Sequence, residues 1–487
     1  MRYPYINKAL LAISLVLLVV SLFFALKLPI YPDEIAYKIF LERVFINGGY
    51  RQSLTPYCLS NFLTKPPLLL LPASIVWSFI SDLGISYLSY RILPITALIG
   101  IFSIIYFDST REYKSRVVFS FLLITITPAI YGLIILRPEI FILLFGLLIY
   151  IICKLLIKKD LINYRNIYTL LIIFIYSLII YLHPKVIYLY PLIFFGLLFS
   201  SEKIKNLYIK LFYVIFYNSL IIAIIYSAVI MHKRIFLSCP EVPYIQQIMN
   251  IQAINLLEIF KDFDGFIDAF TKTYSHENLL RIASQLSFYK NFDIQYLPKI
   301  DVISPFIKFT NIVNIEVLFS SCLAIILALF YYVRKKSQNL KSIVLIVMLA
   351  LGYLMPTILS ISKNWYDISF FVGAVMIIFS LSIPYIIKLE QDRKIYKIFT
   401  FYLIYFLLLI GSVSTLSGIY LYINPKLNLG YAGPGISLQV NRDSVGQTIS
   451  RMLQEGQVPK DSSMIVDDFT YDHLKMGKYV AQLLIWA

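Results

Sequence analysis

Charge is what this chain has least of. Only 14% of its 487 residues are Asp, Glu, Lys or Arg, while 59% are hydrophobic. A soluble chain carries about a quarter charged residues. The composition therefore excludes a soluble enzyme with an anchor, and a mean hydropathy of +0.77 indicates a polytopic membrane protein. Cysteine and histidine are scarce as well, at four each. Cys58, Cys153, Cys239 and Cys322 match no metal-ligand spacing. Cys153 and Cys322 lie in apolar runs and read as small hydrophobes. Cys58 and Cys239 fall in segments expected outside the membrane, where a disulfide between them stays open. No Walker, Rossmann or zinc-knuckle spacing is present, which weighs against nucleotide-driven transport and nucleic-acid binding. The formal charge of +16 does not reverse this, because the basic residues sit in short clusters between apolar runs. Cytoplasmic loops have that pattern.

What the chain does have is long apolar runs. They occupy 7–28, 67–81, 87–107, 116–135, 139–157, 167–182, 186–200, 207–231, 313–333, 341–361, 367–388 and 396–423. The stretch Ala9 to Leu26 is long enough to cross a bilayer. Leu26-Lys27-Leu28-Pro29 is a poor cleavage site, so the first helix reads as uncleaved with a cytoplasmic N-terminus. If every run crossed, Arg111, Lys114, Arg116, Lys154, Lys158, Lys159 and Arg165 would face outward, against the positive-inside rule. The run 67–81 is short, carries Pro67 and Pro72 and follows Pro66. Taking it as interfacial or re-entrant returns the clusters 111–116, 154–165, 203–210, 334–341 and 388–397 to the inside. The expected fold is an all-α polytopic membrane protein with about eleven spans plus interfacial helices. Residues 1–423 form the membrane domain, with exterior loops 29–86 and 232–311, and 424–487 form a small exterior α/β segment. In that segment a helical run is expected near 444–455 and a strand at 463–466.

This topology brings several charged tips to one face. Tyr31-Pro32-Asp33-Glu34 follows the first span, and Thr64-Lys65-Pro66-Pro67 stands where the first loop re-enters. Leu136-Arg137-Pro138-Glu139 and Leu182-His183-Pro184-Lys185 each join two spans with almost no loop. One such tip reads equally well as a proline stop with a charged anchor. Several on one face point to chemistry. Lys65, Arg137, His183 and Lys185 offer donors to a phosphate, and Asp33 offers a base for a hydroxyl proton, with Glu34 in support. Those groups suit sugar transfer from a lipid phosphate to a hydroxyl acceptor. Fixed cations stabilise the departing phosphate. A carboxylate opposite the anomeric carbon implies inversion, by analogy with inverting glycosidases. No cofactor or metal is required by this scheme.

The same residues resemble a known family. Tyr31-Pro32-Asp33-Glu34-Ile35-Ala36-Tyr37 is similar to the Asp-Glu signature on the first exterior loop of GT-C fold glycosyltransferases. The branch it resembles contains protein O-mannosyltransferases and lipid A aminoarabinose transferases. Thr64-Lys65-Pro66-Pro67-Leu68 resembles the Lys-Pro-Pro element of that branch, and Arg91-Ile92-Leu93-Pro94 its Arg-Leu-Pro. Arg137-Pro138-Glu139 resembles an Arg-Pro-Asp turn of bacterial members, with Glu139 where many relatives have Asp. The resemblance implies that Asp33 is the catalytic carboxylate and that Lys65 contacts the donor phosphate. It leaves Glu139 and Tyr37 as possible substrate contacts. It further implies a polyprenyl-phosphate sugar donor, an acceptor hydroxyl on an envelope glycan, lipid or protein, and membrane lipids as the surroundings. The expected location is a bacterial inner membrane with the site on the periplasmic face.

Two other classes compete. A transporter or flippase of a lipid-linked saccharide calls for broken or ionisable sites near mid-bilayer in related halves, and no two halves match here. A polysaccharide polymerase or ligase calls for arginines in its large exterior loop, and 232–311 holds only Arg234 and Arg281. Cysteine labelling tests the topology. A cysteine at Ser86 is expected to label from outside and one at Ser109 from the cytoplasm. Exterior labelling at position 109 contradicts the arrangement and separates Lys65 from the later tips.

Overall fold

The computed structural model describes residues 88–109, 129–157, 164–237, 340–358 and 365–392, together with parts of 12–22 and 451–456 and the strands 464–466 and 479–481. Residues 23–87, with the run 67–81 and Cys58, and residues 238–339, with Cys239, lie outside these, so the expected exterior loops, the disulfide and the count of about eleven spans do too.

The described elements are mostly helical. They are α1 (Leu88–Asp108), α2 (Ala129–Ile134), α3 (Pro138–Ile157), α4 (Arg165–Leu182), a 3-10 turn (Pro184–Leu189), α5 (Tyr190–Ser201), α6 (Leu207–Leu237), α7 (Leu340–Ile358) and α8 (Trp365–Asp392). Among them, Arg91–Asp108, Pro138–Ile157 and Leu207–Ile230 are long and apolar enough to cross a membrane. Shorter apolar helices run through Arg165–Ile180, Lys185–Ser201, Leu340–Pro356 and Ser369–Tyr385. The chain is a helical membrane protein by these lengths and compositions. Two short strands, β1 (Met464–Val466) and β2 (Tyr479–Ala481), pair in parallel near the C-terminus. Residues 451–452 and 454–455 are helical, within the run expected at 444–455.

Helix α3 is the hub of the bundle. It packs against α1, α2, α4, α5, α7 and α8. Apolar residues surround it on nearly every side, as in a helix buried all round. Its buried residues include Leu143, Leu147, Tyr150, Cys153 and Leu156. Water cannot drive helices together inside a bilayer, so close backbone approach and interhelical hydrogen bonds must do so. Gly146 supplies the first. A Cβ there would stand 2.6 Å from the Tyr353 hydroxyl on α7. That same hydroxyl donates to the Leu143 carbonyl at 2.6 Å, which joins α7 to α3 through a buried polar contact. Gly196 of α5 accepts the Cys153 side chain in the same way, and Gly373 of α8 faces Leu143 and Leu133.

The span expected at 186–200 divides in two. Pro191 has no N–H to give to the Ile187 carbonyl, so α-helical bonding cannot run back through it. The Tyr190 amide bonds to Ile187 O instead, three residues back, and the segment Pro184–Leu189 tightens into a 3-10 turn. Helix α6 lies at the edge. Tyr208, Phe212 and Ile215 are exposed along it, and Phe212 stacks on Phe216 with centroids 5.5 Å apart. Its N-terminus is capped by Asn206, which accepts from the amides of Tyr208 and Ile209 at 2.9 and 3.2 Å.

Polar contacts gather at two opposite ends of the bundle. At one end Lys154 pairs with Asp108 at 2.7 Å, Lys203 donates to Leu156 O at 3.1 Å, and Lys341 pairs with Glu202. The other end holds Arg137, Glu139 and Lys185. The fifteen residues from Glu139 to Lys154 separate the two ends by about 23 Å at the rise of an α-helix.

Gly146→Ala is expected to lower thermal stability of the detergent-solubilised chain by about 1–3 kcal/mol, because the ring at Tyr353 must be displaced. Gly100→Ala is the contrast. Its nearest neighbour is the flexible Leu144 Cδ1 at 3.3 Å, so helix propensity offsets the crowding and stability stays near wild type. Equal losses in the two variants contradict the close-approach role of Gly146.

Candidate functional site

Two X-Pro tips build the site. In each, a proline occupies the first position of a helix, where its missing N–H costs nothing and its fixed φ suits the turn. Pro138 opens α3 after the bend at Leu136 and Arg137. Pro184 opens the 3-10 turn after His183, whose backbone is extended at φ −158° and ψ 135°. An extended residue before proline is the sterically favoured arrangement. Both tips are therefore short, stiff and set at the same end of the bundle.

Glu139 stands in the first turn of α3, where the helix dipole favours negative charge. Its side chain is only 1% exposed. The Arg137 guanidinium folds back over it as a two-pronged fork, with Nε donating to Oε2 and Nη2 to Oε1, both at 3.1 Å. Lys185 reaches the same carboxylate from the other tip, Nζ lying 3.6 Å from Oε1. Both carboxylate oxygens are thus engaged by cations. Bidentate Arg–carboxylate pairs combine strength with fixed orientation. Removing one partner of a buried pair costs about 3–5 kcal/mol, because the other is left uncompensated.

His183 caps its own tip. Its Nδ1 accepts the Lys185 backbone N–H at 3.1 Å, and its carbonyl accepts from Val186 N at 3.1 Å. A nitrogen that accepts an amide proton carries none itself. Nε2 is therefore the ring nitrogen that offers a donor. Through this cap His183 also fixes the backbone from which Lys185 extends.

The structure thus brings Arg137, Glu139, His183 and Lys185 together, from positions 46 residues apart in the case of Glu139 and Lys185. Glu139, expected as a possible substrate contact, is occupied with the two cations. Asp33, Glu34, Tyr37 and Lys65 lie outside the described residues. Arg91, of the Arg91-Ile92-Leu93-Pro94 element, is buried in the first turn of α1. The ion-pair bridge between the tips was not anticipated. The only signal for it was an acidic residue at a helix start between two basic tips. Arg165 was read only as part of a basic cluster, and it lies over the Tyr213 ring at 5.2 Å, where Tyr213 bonds Thr169 at 2.6 Å.

No protein-family model matches the chain, and no curated protein matches it.

The cap at His183 separates two roles. His183→Asn keeps an acceptor for the Lys185 amide and is expected to hold thermal stability within about 0.5 kcal/mol of wild type. His183→Lys supplies a cation but no acceptor and is expected to lose about 1 kcal/mol, the usual cost of a lost cap. The opposite order shows that the charge matters and the cap does not.

Proposed function

We propose that this chain is an integral-membrane glycosyltransferase of the GT-C type, with about eleven spans, that moves a sugar from a polyprenyl-phosphate donor to a hydroxyl acceptor at an exterior membrane surface. One observation carries the reading: Arg137 and Lys185, from two separate proline-bounded tips, converge on one carboxylate at one end of the bundle. Stiff, clustered cations at a bilayer surface suit a ligand with an anionic head and an apolar tail. A lipid phosphate is such a ligand. The Asp33-Glu34 and Lys65-Pro66 motifs add the base and a further phosphate contact.

In the proposed step the acceptor oxygen attacks the anomeric carbon from the side opposite the phosphate. The new carbon–oxygen bond forms as the bond to the phosphate oxygen breaks. The electron pair leaves with that oxygen, where Lys65, Arg137 and Lys185 stabilise the growing charge. The acceptor proton passes to Asp33. The anomeric configuration inverts, and the products are the glycosylated acceptor and the polyprenyl monophosphate. Glu34 supports Asp33, the His183 ring offers a further donor, and Tyr37 is a further substrate contact. A bacterial inner membrane with an envelope glycan, lipid or protein as acceptor is the setting that fits this chemistry.

Asp33→Asn keeps shape and removes basicity. It is expected to express and to bind donor while losing transfer by roughly a hundredfold or more, the scale of general-base removal. Lys65→Ala is expected to slow transfer by about 2–4 kcal/mol of lost transition-state stabilisation. Transfer of a labelled lipid-phosphate sugar by the purified chain measures both. Wild-type rates in both variants contradict the assignment.

A further inference from the structure

The end of the bundle opposite Glu139 holds its own cations, and not all of them serve helix pairing. Asp108 is taken by Lys154 and Glu202 by Lys341. Arg165, the first residue of α4, and Lys210, in the first turn of α6, have no carboxylate partner among the described residues. Both are partly buried.

Their placement is fixed by the packing of α4 on α6. The Arg165 guanidinium lies over the Tyr213 ring, 5.2 Å from its centroid. Tyr213 is buried, and its hydroxyl shares a 2.6 Å hydrogen bond with Thr169, one turn along α4 from Arg165. The ring is therefore a held platform. Lys210 lies three residues before Tyr213 on α6, so the two share a face of that helix. A guanidinium stacked on a ring keeps its N–H groups in its own plane, in a fork that matches two phosphate oxygens. Arg165 Nε is shielded from solvent and has no hydrogen-bond partner. A solvated anchor at a helix end does not leave a donor in that state, which costs about 1–3 kcal/mol. It calls for an acceptor.

The surroundings identify the kind of acceptor. Tyr164 and Tyr208 are exposed at the same two helix starts, as aromatics at a membrane interface are. Beyond them the outer faces of both helices are apolar. Ile167, Leu170 and Phe174 are exposed on α4, and Phe212 and Ile215 on α6. The two cations thus stand at headgroup level beside surfaces that suit acyl chains.

We propose that Arg165 and Lys210 form a headgroup site for an anionic phospholipid, whose phosphate ties the start of α4 to the start of α6. The site lies at the opposite end of α3 from the proposed transfer chemistry and does not depend on it.

Thermal unfolding of the full-length chain in a non-ionic detergent, at constant ionic strength, tests this. A ligand that binds only the folded state raises the midpoint, and its concentration dependence gives an apparent Kd. The probes are dihexanoyl phosphatidylglycerol, dihexanoyl phosphatidylcholine and inorganic phosphate. Phosphatidylglycerol is expected to bind about tenfold more tightly than either of the others, at about 1 kcal/mol for each cation facing an anionic lipid. Arg165→Gln is expected to weaken it about tenfold and Lys210→Gln about fivefold. Arg165→Lys keeps the charge but loses the planar fork, and is expected to weaken it about threefold. Lys341→Gln removes the same charge from the same end and is expected to change it less than about twofold, since it lies outside the site. If Arg165→Gln does not fold, Arg165→Lys and Lys210→Gln carry the test. Equal losses in Lys341→Gln and the site variants overturn the proposal and leave only diffuse attraction. Equal affinity for inorganic phosphate, or no preference for phosphatidylglycerol over phosphatidylcholine, overturns the lipid assignment.

Discussion

A buried carboxylate at a membrane boundary cannot remain charged alone. Desolvation of an isolated ion is among the largest penalties in protein energetics, and only paired, hydrogen-bonded charges escape it. Glu139 meets that requirement with cations from two different tips, Arg137 from its own and Lys185 from the next. The pairing locks the start of α3 to the turn that follows α4. Because α3 touches most of the other described helices, the same carboxylate ties the bundle's central helix to its charged end.

The rest of α3 explains why that end can be rigid. Gly146 brings the Tyr353 ring of α7 against the helix backbone, and the hydroxyl finds the Leu143 carbonyl. Gly196 seats Cys153, and Gly373 lets α8 approach at Leu143. Each is a small residue exchanged for close approach, which is how helices associate where lipid is as apolar as the side chains. At the opposite end the pairs Asp108–Lys154 and Glu202–Lys341 hold helix ends together among the basic clusters. These pairs are more exposed than the Glu139 cluster, and surface pairs contribute little to stability. The asymmetry matters: one end is held by a buried ion pair, the other by solvated ones.

Much of this architecture was legible in the sequence. The apolar runs at 87–107, 139–157 and 207–231 anticipate α1, α3 and α6, because a hydrophobic stretch of span length has few other uses. The 3-10 turn at Pro184–Leu189 was hidden, since hydropathy does not register which amide Pro191 withholds. The tips 136–138 and 183–185 were expected on one face from charge alone, and the helices place them there. The bridging carboxylate was not legible, since both it and the cations look like independent anchors until distances are known. The cap that His183 gives the Lys185 amide was hidden for a related reason: it depends on backbone geometry, not on residue type. Asp33 and Lys65 remain readings of sequence, lying outside the described residues.

In the proposed reaction Arg137 and Lys185 act on one phosphate as a unit. A double-mutant cycle in transfer rate measures this directly, with Arg137→Ala, Lys185→Ala and the double variant compared under one donor concentration. Groups that share a ligand are strongly non-additive. The double variant is expected to lose little more than the worse single variant, a coupling of at least about 1 kcal/mol. Losses that add within about 0.3–0.5 kcal/mol, as for distant and independent sites, would contradict it.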